Sequence, residues 1–265
     1  MVNAFKKWLV HPATRDMAID DPRTTERRRA IIHGNKFLWR IYDEWYCAVA
    51  ARIPRGGGRV LELGSGAGFL DKYVPGLIAS EVFSCPDLDV VLDARQLPFA
   101  SGSLKAIVMV DVFHHIPDCR AFLHEAERCL RPGGTIVMVE PWVSTFSRLI
   151  YTHLHHEPFV PDAKDWTFPG AGPLSSANGA LPWIVFQRDR ALFEKEFGQL
   201  EIKEAKPFMP FRYLVSGGIS MRPLMPEAAF PVWRALETVL GAFPGTWPMF
   251  ALVHVTRRRN FSALS

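Results

Sequence analysis

The feature that most constrains the fold is a short apolar run that breaks into three glycines at alternate positions. The segment RVLELGSGAGFL, residues 59–70, reads as a buried strand that ends at Gly64. Gly64, Gly66 and Gly68 tolerate positive φ and carry no Cβ, so the backbone can turn tightly and approach a ligand closely. Helical residues are expected from about Phe69. A glycine turn between a parallel strand and a helix is the usual nucleotide site of doubly wound α/β folds.

The spacing of these glycines discriminates between cofactors. A dinucleotide fingerprint is G-x-G-x-x-G followed by an acid about 20 residues on, and a P-loop closes with Gly-Lys-Ser/Thr. The segment has the spacing G-x-G-x-G and matches neither pattern. A P-loop is therefore not indicated, and a nicotinamide oxidoreductase is kept only as an alternative.

Four further apolar segments follow in order. The first three carry or lead into acidic residues, and the fourth follows a glycine turn. They are Leu77–Phe83, which carries Glu81; Asp89–Leu92, which precedes Asp93; Leu104–Val110, which precedes Asp111 and VFHHIPD; and TIVMVEP, which follows a helix at 120–130 and the turn RPGG at 131–134. Five such elements, in this order and with this spacing, are hard to obtain by chance.

Together these segments resemble the class I S-adenosylmethionine (SAM) methyltransferases, in particular small-molecule enzymes of the methyltransferase type 11 kind. The resemblance covers Val60 to Pro141, roughly a third of the chain. It implies an α/β fold with a doubly wound, mostly parallel seven-stranded sheet of the Rossmann-like type. It also implies that the cofactor is SAM.

The resemblance further implies which residues bind SAM. An acid and the glycines of the first turn hold the amino acid end, Glu81 accepts hydrogen bonds from the ribose hydroxyls, and Asp93 with the Ala94 N–H faces the adenine. The implied cofactor-binding residues are Glu62, Gly64, Ser65, Gly66, Gly68, Glu81, Val82, Asp93, Ala94, Asp111, Val112 and His115.

One connection departs from this pattern. Only Ser84 to Leu88 join the second and third strands, whereas a parallel crossover normally takes a dozen or more residues. We therefore expect the second crossover helix to be missing. Either the third strand is vestigial or the loop crosses the end of the sheet directly.

The rest of the chain divides into additions around this core. Residues 1–55 are predicted to form an N-terminal helical cap, with one or two amphipathic helices at 24–51 whose aromatic residues mostly pack onto the sheet. Residues 56–265 form the SAM-binding domain, with insertions after strands five and six at about 142–182 and 207–248. A last crossover helix is expected at 189–197, and strands six and seven at 200–205 and 249–256.

The first insertion contains the cluster HLHHEP, residues 153–158, for which three interpretations stay open. In the first interpretation, His155, His156 or Glu157 acts as a general base or orients the substrate. In the second, the side chains of the cluster bind a metal. In the third, they only make hydrogen bonds at a helix end. The spacing H-x-H-H-E matches no standard zinc pattern, so no metal is expected. We predict His156 and Glu157 as catalytic residues.

The second insertion is apolar and rich in proline, and it is open to several interpretations. One interpretation is a helical flap that completes the core. The alternatives are a hydrophobic wall for the substrate, a dimer face and a peripheral membrane contact. No run of residues is apolar for long enough to span a membrane, and no signal peptide is evident, so a cytoplasmic protein is expected. Four cysteines without C-x-x-C spacing indicate neither a zinc site nor a disulfide framework.

The formal net charge of +4 is modest. Its concentrations, Arg27–Arg29 and Arg257–Arg259, are interpreted as solvated surface, with attraction to anionic lipid or an acidic substrate as an alternative for the first. A nucleic-acid enzyme would show a broader basic stripe, so nucleic acid is not expected as a partner.

The sequence therefore predicts a SAM-dependent methyltransferase acting on a small, aromatic or lipid-like acceptor. An acceptor of RNA or protein is kept as an alternative, as is a SAM-binding regulatory or interaction protein without transferase activity. A homodimer also stays open.

Overall fold

A seven-stranded sheet forms the centre of the molecule. The computed structural model describes residues 8–18, 20–155, 157–169, 172 and 175–259. The strands are β1 (Arg59–Leu63), β2 (Leu77–Glu81), β3 (Val90–Val91), β4 (Leu104–Val110), β5 (Leu130–Pro141), β6 (Leu200–Phe208) and β7 (Phe250–Arg257). Their order is β3-β2-β1-β4-β5-β7-β6; β7 runs antiparallel to both of its neighbours, and the other strand pairs described are parallel. The predicted doubly wound, mostly parallel sheet is confirmed.

Helices cover both sides of this sheet. They are α1 (Arg23–Gly34), α2 (Lys36–Ala50), α3 (Cys119–Cys129), α4 (Thr145–His153), α5 (Leu181–Trp183, continued by a π-helical turn at Ile184–Arg188), α6 (Arg190–Glu196), α7 (Arg212–Ser216) and α8 (Phe230–Leu240). Side chains define several N-termini: Asn35 caps α2, Asp118 caps α3, and Ser144 forms a capping box at α4. None of the described helices is both long enough and apolar enough to cross a membrane.

Alternate residues of the inner strands feed two separate cores. Leu61, Ile107 and Met138 point toward α3, α5 and α6, whereas Val60 and Val108 and their neighbours point toward the N-terminal helices. The side chains of Trp45 and Tyr46 on α2 are 1% and 2% exposed. The predicted packing of these cap aromatics onto the sheet is thus observed, and it fixes α1 and α2 above the carboxyl end of β1.

The connection between β2 and β3 has no crossover helix. Residues 82–89 are all described and none is helical. The Asp89 carboxylate accepts the Ala79 N–H at 2.8 Å, and the Leu92 N–H donates to the Glu81 carbonyl at 2.9 Å, so the loop crosses the sheet end directly. The third strand is only two residues long. Both predicted consequences of the short connection are present.

Two local expectations needed correction. After Phe69 the chain forms only a single 3₁₀ turn, Leu70–Lys72, instead of a full helix, and β2 follows soon after it. The segment RPGG is also not a turn before β5 but part of that strand. Leu104 pairs with Leu130 and Ala106 with Thr135, so β5 has three more residues than β4 between these pairs; they bulge out, and Gly133 takes a φ of 76°.

Candidate active site

The glycine loop after β1 is shaped by neighbouring side chains. Gly64 adopts the left-handed φ of 72° that the turn requires, and an added Cβ would overlap the Val112 side chain. Gly66 and Gly68 do not have positive φ. They lack room for a Cβ because Thr25 of α1 and the Tyr46 hydroxyl of α2 press against them. Their small size is therefore needed where the cap approaches the loop.

Hydrogen bonds hold the ends of β1 and β2 together. The Ser80 N–H donates to Ser65 Oγ at 3.1 Å, and the Ser80 hydroxyl donates to the Glu62 carbonyl at 2.6 Å. Glu81 Oε1 accepts the Gly66 N–H at 3.2 Å. This bonding places the Glu62 and Glu81 side chains at the same edge of the sheet, as expected for the ends of adjacent parallel strands.

A cavity of about 900 Å³ opens at this edge. Its lining contains most of the residues predicted from the sequence to bind the cofactor: Glu62, Gly64, Gly68, Glu81, Val82, Asp93, Ala94, Asp111, Val112 and His115. Ser65 and Gly66 are not among the described residues of the lining. Of the predicted catalytic residues, Glu157 lines the cavity, and His156 lies outside the described residues. Pockets of 300–1,000 Å³ are typical of small-molecule sites.

The two carboxyls beside the glycine loop are shifted by burial. Loss of solvent raises the pKa of Glu62 to about 8, and the nearby charges of Asp71 and Glu81 add to the effect. Burial also raises the pKa of Glu81, against the hydrogen bonds from the Gly66 and Val82 N–H groups. A cationic group bound beside these carboxyls would favour their charged forms.

Asp93 is already engaged by a neighbouring cation. Its carboxylate forms a bidentate pair with the Arg95 guanidinium, with the closest contact at 2.6 Å, and accepts the Arg95 N–H at 2.9 Å. The Arg95 hydrogen bond lowers the pKa of Asp93. Asp93 and Ala94 nevertheless line the cavity, on the side where β3 ends.

Asp111 lines the cavity directly after β4, the strand that neighbours β1. Its φ of 62° is unusual for a residue with a side chain, and its N–H donates to the Val139 carbonyl at 2.8 Å. Burial raises the pKa of Asp111 to about 7, helped by Glu157 and Glu140 and opposed by the His114 charge. An ionisable group with a pKa near neutrality in a cavity is a candidate for proton transfer.

A buried glutamate organises the turn that follows Asp111. Glu140 Oε1 accepts the backbone N–H groups of Val112 and Phe113 at 2.9 and 2.8 Å. Glu140 Oε2 lies 2.7 Å from His114 Nδ1. Both side chains are fully buried. The carboxylate thus fixes the backbone of the turn and the orientation of the His114 ring.

Glu157 from the first insertion meets this turn. Its carboxylate lies 3.4 Å from His114 Nε2, 3.7 Å from His115 Nε2 and 3.8 Å from His155 Nδ1. His115 Nδ1 is in turn 3.1 Å from the Ser176 carbonyl. The insertion therefore closes over the carboxyl end of β4 and brings an acid against two adjacent imidazoles.

The charges in this cluster are strongly coupled. Burial opposes the charged forms of His114 and Glu157, but the carboxylates beside His114 raise its pKa and the imidazoles beside Glu157 lower its pKa. Burial and the His114 charge together lower the pKa of His115 to about 3. Glu157 is consequently held as a carboxylate.

A second, smaller cavity of about 50 Å³ branches from the first. The two share Asp111, His155, Glu157, Tyr213 and Ser220, so the polar cluster lies at their junction. Beyond the junction the lining is mostly apolar: Pro141, Ile150, Tyr151, Pro158, Phe159, Leu214, Met221, Met249 and Phe250. Both insertions contribute to this apolar branch.

Several residues of the cavity were missed by the sequence analysis. Arg28 belongs to the arginine cluster interpreted as solvated surface, yet it lines the large cavity, as do Thr25 one turn earlier and Tyr42 and Tyr46. The helical spacing of Thr25 and Arg28 is the signal that could have placed both on the inner face. Glu140 could have been found as an acid within an otherwise apolar strand.

Comparison with known proteins identifies the domain. Residues 61–138 match the family model described as "Methyltransferase domain". The Phthiotriol/phenolphthiotriol dimycocerosates methyltransferase of Mycobacterium tuberculosis is 33% identical over 113 residues, which cover 36% of this chain and 42% of that protein. The Demethylmenaquinone methyltransferase of Beutenbergia cavernae is 33% identical over 127 residues, covering 41% and 51%. The matched part thus spans about half the length of these relatives.

Solved structures agree at the level of the fold. The geranyl diphosphate C-methyltransferase of Streptomyces coelicolor superposes with a TM-score of 0.51 at 13% identity, covering 94% of this chain and 90% of that one. Residues 61–138 thus match a methyltransferase domain, and the likeness to the solved structure shows that the chain shares the class I methyltransferase fold.

Proposed function

We propose that this protein transfers the methyl group of SAM to a small, apolar acceptor. The observation that carries the proposal is the pair of joined cavities, in which a polar cavity at the glycine loop opens through Asp111, His155 and Glu157 into an apolar branch. A cofactor and an acceptor bound on either side of this junction would meet there.

The residues of the large cavity fit SAM. Glu62 and Arg28 offer a carboxylate and a guanidinium for the ammonium and carboxylate of its amino acid end, and Glu81 offers oxygens for the ribose. Asp93 and Ala94 would lie at the adenine. When bound, SAM supplies a methyl group on a sulfonium, which is a good leaving group. The protein then needs mainly to align the acceptor and exclude water.

Most of an aromatic or lipid-like acceptor would lie in the large cavity, because the apolar branch measures only about 50 Å³. The branch favours an apolar end of such an acceptor. Its lining includes Tyr151, Phe159 and Phe250, and its polar groups are concentrated at the junction. The names of the two relatives refer to dimycocerosates and to demethylmenaquinone, both of which are lipid-like. An acceptor of this kind would place its polar end at the junction.

An acceptor hydroxyl or acidic carbon must lose a proton during transfer. We assign this role to Asp111, because its carboxyl lies at the junction and its pKa of about 7 suits a base at neutral pH. Glu157 as the base stays a prediction, and its lowered pKa weakens it in that role. For Glu157 we favour pairing with the His114 ring and holding the polar end of the acceptor.

Titration calorimetry with SAM and with NADPH tests the cofactor. We expect binding of SAM and none of NADPH; preferential binding of NADPH would favour the oxidoreductase alternative and contradict the proposal. Transfer of radiolabelled methyl from SAM is then measured with hydroxylated quinone analogues, fatty acyl phenols, RNA and protein. Labelling of the apolar compounds is the expected result, and Asp111→Asn should lower it while SAM still binds.

The same assay separates the remaining alternatives. Labelling of RNA, with an affinity that falls steeply as salt rises, would favour a nucleic-acid acceptor. Binding of SAM without transfer to any class would favour a regulatory SAM-binding protein. The cytoplasmic location, the homodimer and the peripheral membrane contact stay predictions.

A further inference from the structure

Three ligand-type groups converge at the junction of the cavities. They are the imidazoles of His114 and His115 and the carboxylate of Glu157, and one donor atom from each lies within 4.8 Å of the others. We propose that these three residues bind a divalent cation of the zinc class. The spacing within residues 153–158 predicts no metal, because it matches no standard zinc pattern. This set instead combines the turn after β4 with one residue of the insertion.

The orientation of both imidazoles favours this role. His115 Nδ1 faces the Ser176 carbonyl, which can only accept, so Nδ1 carries the proton and Nε2 presents a lone pair. His114 Nδ1 faces the Glu140 carboxylate, whose other oxygen already accepts two backbone N–H groups. Metal-binding histidines characteristically donate their second nitrogen to a carboxylate or a backbone carbonyl in this way.

The distances also fit a shared ion. Zinc binds imidazole nitrogen and carboxylate oxygen at about 2.0–2.2 Å, so tetrahedral neighbours are about 3.4 Å apart. The carboxylate of Glu157 lies 3.4 Å from His114 Nε2 and 3.7 Å from His115 Nε2. These separations are longer than good hydrogen bonds, yet close enough for one ion to contact all three groups.

The burial of His114 supplies an independent reason. Its side chain is 1% exposed, and its Nε2 atom has no hydrogen-bond partner among the described residues. An unsatisfied buried polar atom costs free energy, and here it points at a carboxylate and a second lone pair. A divalent cation would displace the proton that the carboxylates favour on His114, release it to solvent, and contact all three groups at once.

Two nitrogens and one oxygen suit zinc better than magnesium or calcium, which prefer oxygen ligands. Three protein ligands leave a fourth position for water or for an oxygen of the acceptor. Because His115 and Glu157 line the large cavity, this position would be accessible from it. Only this last assignment, to the acceptor, rests on the proposed function.

The test measures metal binding directly. Protein stripped with EDTA and desalted is titrated with Zn²⁺ against a chromophoric chelator, and with Co²⁺ while the visible spectrum is recorded. Wild-type protein should bind one ion and give the intense absorption of tetrahedral Co²⁺. His115→Gln and Glu157→Gln should weaken binding at least about 100-fold. His124→Gln removes an exposed imidazole that packs on Phe197, and it should bind as wild type does.

Equal affinity in wild type and both ligand variants, or a Co²⁺ spectrum like that of the hydrated ion, would overturn the proposal. Circular dichroism checks the fold of each variant, and if a variant does not fold, the wild-type Co²⁺ spectrum decides alone. SAM binding is titrated in parallel in EDTA. If wild-type protein binds zinc but not SAM, only the proposed function is contradicted. If it binds SAM but not zinc, only the metal site is contradicted.

Discussion

Glu62 is the residue whose charge is most directly linked to the cofactor. With a pKa of about 8 it is protonated in the free protein at pH 7, whereas the ammonium group of SAM would require the carboxylate. Binding should therefore release a proton. Affinity for SAM should rise with pH between 6 and 7.5, by up to about tenfold per unit.

Calorimetry in buffers of different ionisation enthalpy measures this proton release. Glu62→Gln should bind SAM more weakly and without the pH dependence, because the amide does not titrate. If the variant keeps the wild-type pH slope, another group is responsible and Glu62 does not hold the ammonium. The upper limit of pH 7.5 avoids titration of the SAM amino group itself.

The same carboxyl affects the stability of the unliganded protein. Its pKa rises from 4.5 in the unfolded chain to about 8 in the fold, so between these values the folded state holds the extra proton. The free energy of unfolding is therefore highest below pH 4.5, where the carboxyl is protonated in both states. It falls as the pH rises from 4.5 to 8, because the unfolded chain loses this proton first. The stability of Glu62→Gln relative to wild type should increase by about 2 kcal/mol from pH 6 to 7.5, as measured by urea unfolding. An unchanged difference would contradict the raised pKa.

At the scale of elements, a buried ion pair ties the second insertion to the cap. Arg212 at the start of α7 pairs with Glu237 of α8 at 2.5 Å and with Glu44 of α2 at 2.7 Å. Glu237 also accepts the Arg212 N–H at 2.6 Å, and both of these side chains are nearly inaccessible. Because Tyr213 of α7 lines both cavities, this contact also positions the acceptor side.

Arg212→Met should lower the free energy of unfolding by about 3–5 kcal/mol, since it leaves the Glu237 charge buried without its partner. The matched control is Arg190→Met, which breaks an exposed Arg–Glu pair with Glu194 on α6. That control should cost under about 1 kcal/mol. Denaturant titration of both variants checks the prediction, and equal losses would show that burial of the Arg212 pair does not matter.

The sequence was most predictive where local pattern and tertiary burial agree. β1, β4 and β7 are mostly apolar segments with clear ends, so their positions were predicted to within a residue or two. In place of the helix expected after Phe69, the structure has a single 3₁₀ turn. Gly76, which has a positive φ, then turns the chain into β2. Local propensity did not encode this shortened connection.

The candidate site also contains residues that the sequence predicted and residues that it did not. Glu62, Glu81 and Asp111 were predicted from the resemblance to methyltransferases, and all three line the cavity at the carboxyl edge of the parallel strands. The contact of His114 with Glu157 depends on how the first insertion folds back, which no periodicity in that segment specifies. Arg28 was missed because a run of arginines on a helix is usually solvated.

At the scale of the whole molecule, the cap and the sheet share one cavity. Thr25, Arg28, Tyr42 and Tyr46 line it from the N-terminal helices, opposite the glycine loop. A ligand that contacts both sides should stabilise their association as well as the fold. SAM at 100 times its dissociation constant should add about 2.7 kcal/mol and raise the melting temperature by roughly 5–10 °C.

Hydrogen exchange followed by mass spectrometry locates this effect. Amides of α1 and of the loop at 64–68 should exchange more slowly with SAM, whereas α8, whose residues are not among those described as lining the cavity, should change little. Gly68→Ala places a Cβ against the Tyr46 hydroxyl and should reduce both the protection and the thermal shift. Gly57→Ala, which has nothing within 4 Å, should leave both unchanged. Protection limited to the sheet side would mean that the cap takes no part in binding SAM, and the closure of the cavity by α1 and α2 would then need another cause.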